Sequence, residues 1–157
     1  MKYICTLLFC FSLGYAQSPY PQNYFRSPLD IKVILSGSFA ELRSNHFHSG
    51  LDIKTQQRTG LKVFGVAQGY VSRIKISHYG YGKALYITHP NGYVSVYAHL
   101  SKFSPTIEKY IKACQYDKES YEVEVFPSPK ELPVLTNEVV AFSGNSGSSG
   151  GPHLHFE

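Results

Sequence analysis

Apolar and polar positions follow strand-like patterns through most of the chain after Leu61, and one segment keeps helical spacing. Lys62-Val63-Phe64-Gly65-Val66 reads as a strand, and Gly69 to Ile76 as another with Val71, Ile74 and Ile76 apolar. Ala84 to Thr88 and Tyr93 to Leu100 flank His89-Pro90-Asn91-Gly92, and two β-rich runs around Asn-Gly predict a hairpin. In its second strand Val94, Val96 and Ala98 are expected on the core face, with Tyr93, Ser95, Tyr97 and His99 on the other. Ile31 to Leu35, Tyr121 to Phe126, Glu138 to Ser143 and His153 to Glu157 read as further strands, the second of them on the surface. Thr106 to Tyr116 places Ile107, Tyr110, Ile111 and Cys114 at i, i+3, i+4 and i+7, which predicts a short amphipathic helix after Pro105. Ser36 to Gly50 and the Gly/Ser run Gly144 to Gly151 read as loops. The fold class expected is therefore mainly β, with one short helix.

Composition sharpens this picture. With 157 residues, 43% of them hydrophobic, the chain is one domain with a packed core, which excludes wholesale disorder. The 13 Tyr and 10 Phe suit strands and turns. A net charge of +4 without a basic run gives no argument for nucleic acid. Met1 to Ala16 carries Lys2, an apolar run and then Gly14 and Ala16, and is expected to be a signal peptide. Its apolar run is too short to span a bilayer, so no stable membrane anchor is expected. An exported location follows, in the periplasm, the cell envelope or outside the cell. A cut after Ala16 removes Lys2, Cys5 and Cys10, leaving a charge of +3 and Cys114 as the single thiol. Cys114 lies on the expected helix as a small packing residue, so packing or a metal must hold the mature chain together. Residues 17–38, rich in Pro at their start, read as an extended lead-in.

The histidines carry the chemistry. His153 and His155 share one face of their strand, roughly 7 Å apart at Cα, while Leu154 and Phe156 turn to the other. His99 closes the hairpin strand. His48 and Asp52 would stand about 13 Å apart along a straight strand, so a turn at Gly50 into Leu51-Asp52-Ile53 is needed to aim both at one point. Together these five residues suit a catalytic zinc site: three protein ligands leave a position open, and the remaining two histidines can move a proton or bind an oxyanion.

Three blocks then resemble a known family. His48-Ser49-Gly50-Leu51-Asp52, Tyr97-Ala98-His99-Leu100 and Gly151-Pro152-His153-Leu154-His155-Phe156-Glu157 resemble those of the M23 (LytM/lysostaphin-type) zinc peptidases, and Ser143-Gly144-Asn145-Ser146-Gly147 is similar to the turn before the last block. The resemblance runs over residues 39–157. It implies an antiparallel β-sheet core crossed by a groove, and one Zn2+ per chain held by His48, Asp52 and His155. It also implies that His99 and His153 are the catalytic pair and that the peptide part of bacterial peptidoglycan is the substrate. The zinc would acidify water, one of His99 and His153 would relay its proton, and the other would bind the oxyanion or protonate the leaving amine; which does which stays open. The Gly/Ser loop is expected to keep the groove floor narrow.

The segment Ser101 to Asn137 is longer than the family's usual link and is expected to form one groove wall carrying the helix. The chain stops just after the last block, so it is expected to be a fragment of a longer protein. Three rival readings differ in testable ways. A non-catalytic LytM-like activator of other wall hydrolases typically lacks metal ligands, whereas all five positions are filled here. A phosphocarrier would be cytoplasmic, and incidental histidines would bind no zinc. His46, His78 and His89 are expected outside the site, with His46 at its rim. Oligomeric state is not legible.

Overall fold

The computed structural model describes residues 21–157. The expected signal peptide, residues 1–16, lies outside the described residues. In chain order the strands are β1 (Leu35–Gly37), β2 (Leu51–Lys54), β3 (Lys62–Phe64), β4 (Gly69–Ile76), β5 (Lys83–Thr88), β6 (Val94–Ala98) and β7 (Lys102–Phe103). Helix α1 (Pro105–Asp117) follows, then β8 (Val123–Val125), β9 (Pro133–Val134), β10 (Val139–Phe142) and β11 (His153–Phe156).

One antiparallel sheet runs in the order β1-β2-β11-β6-β5-β4-β8, with β9 also paired to β4. A second, three-stranded sheet runs β3-β10-β7. One core cluster draws on both: Ile53, Val71, Leu85, Tyr97 and Leu154 from the large sheet, Val63, Phe103 and Val140 from the small one, and Ile107 and Ile111 from α1. The sheet is thus antiparallel and the fold mainly β, as the sequence predicts.

The β5–β6 hairpin closes where Asn91-Gly92 predicts: His89 N–H donates to Tyr93 C=O at 2.9 Å and Gly92 N–H to His89 C=O at 2.9 Å. Helix α1 starts at Pro105, whose missing N–H costs nothing at a helix N-terminus. Glu108 Oε2 accepts the backbone N–H of Phe103 at 3.0 Å, and Ile107 and Ile111 are buried as the spacing requires. Cys114 packs partly buried against the core.

Three details differ from the sequence expectation. The strand expected over Ile31–Leu35 begins only at Leu35, because that run has no long pairing partner: β2 is short and takes register at Leu35 and Gly37. Val33 and Ile34 stay exposed in consequence. The faces of β6 are reversed. Tyr97 is fully buried in the core, its hydroxyl accepting the N–H of Val66 at 3.1 Å, while Val94 is 46% exposed. Tyr97 sits opposite Phe156 and Ala98 opposite His155, so Ala98 floors the face that carries the histidines. Third, the described part of the lead-in packs onto the domain. Leu29 is in the core and Pro28 C=O accepts the N–H of Phe64 at 2.9 Å.

Candidate active site

β2 and β11 build the floor of the site. They pair antiparallel with Asp52 opposite His155 and Lys54 opposite His153, so all four side chains share one face. Leu154 turns to the core, as alternation requires. His48 reaches the same point from a small hairpin. Ala40 N–H donates to His48 C=O and His48 N–H to Glu41 C=O, both at 2.8 Å, with Leu42 bridged to Phe47. The chain then bends at Gly50 into β2.

Three donor atoms converge there. His48 Nε2 lies 3.1 Å from Asp52 Oδ1 and 3.0 Å from His155 Nδ1, and His155 Nδ1 lies 3.0 Å from Asp52 Oδ1. These residues form the metal-capable cluster among the described residues. A tetrahedral ion bound at about 2.0–2.1 Å separates its ligand atoms by about 3.3 Å, close to this triangle. The outer nitrogens are committed elsewhere. His48 Nδ1–H donates to Ser38 C=O at 2.8 Å, and His155 Nε2–H donates to Glu157 Oε1 at 3.0 Å. Each ring therefore turns its other nitrogen inward, the arrangement by which outer partners orient metal-binding imidazoles. Asp52 Oδ2 accepts from Arg43 Nη2 at 2.9 Å, leaving Oδ1 for the cluster. Gly37 makes room for this pair: a Cβ there would lie 2.4 Å from Arg43 Nη2 and 2.5 Å from Asp52 Oδ2.

Charge follows geometry. Burial pushes the Asp52 carboxyl up, but the hydrogen bond from His155 and the neighbouring histidines outweigh it and hold its pKa below the usual value. Burial alone would lower that of His155; its bonds to Glu157 and Asp52 raise it instead. Glu157 falls to about 2, because hydrogen bonds from His155, Ser49 and the Tyr81 hydroxyl outweigh its burial. Burial and the Glu157 carboxylate lift the Tyr81 phenol to about 12. His155 thus bridges two carboxylates, Asp52 at Nδ1 and Glu157 at Nε2, and their negative charge favours a cation at this point.

His99 and His153 stand beside the triangle with ring centroids 4.7 Å apart. His153 Nδ1–H donates to Gly151 C=O at 2.8 Å, and its Nε2 lies 3.4 Å from Asp52 Oδ1. Simple alternation along β6 would send His99 to the Tyr97 face, into the core. Its φ of 57° breaks the strand and returns the ring to the site. Two departures from the sequence expectation cancel: the β6 faces are swapped, and His99 leaves the strand. Its Nδ1–H donates to Ser146 C=O at 2.9 Å, and burial lowers its pKa to about 4. The groove over these residues has a volume of about 490 Å³, with Tyr81 and Phe47 among its walls.

The Peptidase family M23 sequence profile matches residues 46–116. This chain carries an M23 peptidase domain. A DD-carboxypeptidase/endopeptidase, Mpg, from Neisseria meningitidis serogroup B is 34% identical over 116 residues, covering 74% of the chain and 21% of the relative. The chain therefore spans about a fifth of the length of that relative. The fold is shared with a mutant catalytic domain of the prophage-encoded M23 protein EnpA from Enterococcus faecalis, at TM-score 0.60 and 19% identity over 85% of each chain. It is shared too with a zinc-containing peptidase from Vibrio cholerae, at TM-score 0.61 and 24% identity over 85% of this chain and 36% of the other.

The M23 domain brings together His48, Asp52, His99, His153 and His155. His46 is exposed on the groove rim, its Nδ1 2.6 Å from Asn45 Oδ1. His78 stacks on Tyr121, and His89 is buried with Nδ1 on Gln68 C=O and Nε2 on Ser95 Oγ, both at 2.8 Å. Neither belongs to the cluster. The Gly/Ser loop forms a wall and anchor rather than the floor: Ser146 Oγ donates to Leu100 C=O at 2.8 Å and accepts Lys83 N–H at 3.0 Å. Sequence reasoning missed Arg43, Tyr81, Ser146 and Glu157. Glu157 was findable, since period two puts it on the face of His153 and His155. The others reach the site through space and leave no local pattern.

Proposed function

We propose that the chain is an exported, zinc-dependent endopeptidase that hydrolyses peptide cross-links of bacterial peptidoglycan. In this reading His48, Asp52 and His155 hold one zinc ion, and His99 and His153 are the catalytic pair. The observation that carries it is the triangle of inward-facing donor atoms, 3.0–3.1 Å on each edge, with two further imidazoles at its side. The likeness to a DD-carboxypeptidase/endopeptidase from Neisseria meningitidis supports the peptidase reading.

When bound, zinc supplies Lewis acidity toward a carbonyl and acidifies water. The residues do the rest. His99, fixed by Ser146 with its proton on Nδ1, offers the Nε2 lone pair to the groove; burial keeps the ring neutral near pH 7, so it accepts a proton. His153, its Nδ1–H held by Gly151 C=O, aims Nε2 into the same space; as the imidazolium, with a proton on Nε2 too, it would donate that proton to the developing oxyanion or the leaving amine. Arg43 and Glu157 keep Asp52 and His155 oriented.

The test pairs metal analysis with hydrolysis. Wild type is expected to bind one zinc and cleave peptidoglycan peptides, and Asp52→Ala to lose both. Full zinc occupancy in Asp52→Ala would overturn the ligand assignment. Zinc-loaded wild type that cleaves no wall peptide would instead favour the activator reading.

A further inference from the structure

A second cavity, about 680 Å³, opens from the Asp52 and His153 end of the groove. It shares Arg43, Asp52, Gly150 and His153 with the groove, so a substrate lying across the site can extend into it. Its character differs. Ile31 and Ile34 give it apolar walls, and Lys32 and Lys54 line it. Neither ammonium has an ion-pair partner among the described residues. Asp52 is the one acid in the lining, and Arg43 already answers its charge at 2.9 Å.

The fold plants Lys54 close to the chemistry. It follows Asp52 by two residues on the same face of β2, about 7 Å along the strand, and sits opposite His153. Gln56 and Gln57 also line the cavity, held in a tight turn with φ of 57° and 58°, a conformation that non-glycine residues adopt rarely. Arg58 N–H closes it on Thr55 C=O at 3.2 Å. Two unanswered cations in a partly apolar recess beside a catalytic groove select an anion attached to an aliphatic group. In a peptide substrate that anion is a carboxylate.

We propose that this cavity is a carboxylate subsite, in which Lys32 and Lys54 bind a free carboxylate that the substrate carries close to the scissile bond. The inference rests on the peptidase reading above and adds its specificity. The carboxylate can be the end of the peptide or a side-chain or branch carboxylate next to a cross-link. The two sources share one chemistry, and substrates distinguish them.

The experiment uses the zinc-loaded full chain and two pairs of N-acylated wall peptides. In one pair the chain-end carboxylate is free or amidated; in the other the only variable carboxylate lies on a side chain. At least one pair is expected to show kcat/KM about 10- to 100-fold higher for the acid, the range of a charge-assisted contact. The Lys32→Gln/Lys54→Gln double variant should bring that ratio close to one, leave amide hydrolysis within about twofold, and keep its zinc. Calorimetric binding of the same peptides to the metal-free protein should show the same preference, lost in the double variant. Equal rates and equal binding of acid and amide in both pairs would overturn the subsite, as would a preference that survives the double substitution. Hydrolysis of neither form would overturn the peptidase reading instead, and the binding ratio would then decide the subsite alone.

Discussion

His99 shows how much rests on one backbone angle. Its φ of 57° turns the ring out of the core, and Ser146 C=O fixes which nitrogen carries the proton. In the metal-free protein its imidazole should titrate near pH 4, against the ordinary 6.5, which proton NMR of the ring measures directly. The sign for stability follows. Between these values the unfolded chain binds a proton that folded His99 refuses, so stability falls as pH drops from 6.5 toward about 4. A ring titrating at or above 6.5 would contradict the burial argument. His99→Ala and His153→Ala should keep zinc within a few-fold of wild type and lose about 10²- to 10⁴-fold in turnover. If either loses metal as completely as Asp52→Ala, a ligand has been mistaken for a catalytic residue. His46→Ala, on the rim, should leave zinc affinity within a few-fold. Alternation alone pointed to His153 and His155 as neighbours. It could not show Arg43 on Asp52, because that contact joins a hairpin to a strand across nine residues of chain.

At the scale of elements, long-patterned segments were legible and short ones were not. The β5–β6 hairpin and α1 each carry a local signal, a turn dipeptide or a helical stripe. β7 and β9 are two residues long, too short for any period, so neither the third strand of the small sheet nor the addition of β9 to β4 could be read before tertiary pairing revealed them. The turn Gly144 to Gly147 gives a sharp test. Gly147 has φ of 71°, and a Cβ there would lie 2.3 Å from the backbone nitrogen of Gly82. Gly147→Ala should displace the loop, loosen Ser146 from His99 and reduce turnover, with zinc stoichiometry unchanged. Parallel loss of zinc would show that the loop supports the metal cluster as well. Helix α1 tests the opposite case. Ile111 is 1% exposed in the core, so Ile111→Ala should cost about 2–5 kcal/mol in urea unfolding while the native fraction keeps its zinc.

For the whole molecule, the metal site joins distant parts of the chain: His48 and His155 are 107 residues apart in sequence, and β2 and β11 meet only in the folded sheet. The unfolded chain has no such site, so binding free energy becomes folding free energy. Zinc at about a hundred times its Kd should add about 2.7 kcal/mol to unfolding, and a chelator should remove it. Acidification should weaken binding, because zinc needs the Asp52 carboxylate ionised and the inward nitrogens of His48 and His155 free of protons. Stability indifferent to zinc would contradict the site. The most direct test of the central claim is mass spectrometry of purified cross-linked wall peptides incubated with zinc-loaded wild type, with Asp52→Ala and chelated protein alongside. The wild type should yield two fragments whose masses sum to the parent plus one water, and neither control should yield them. Intact peptide after incubation with fully zinc-occupied wild type, or equal cleavage by Asp52→Ala, would contradict it.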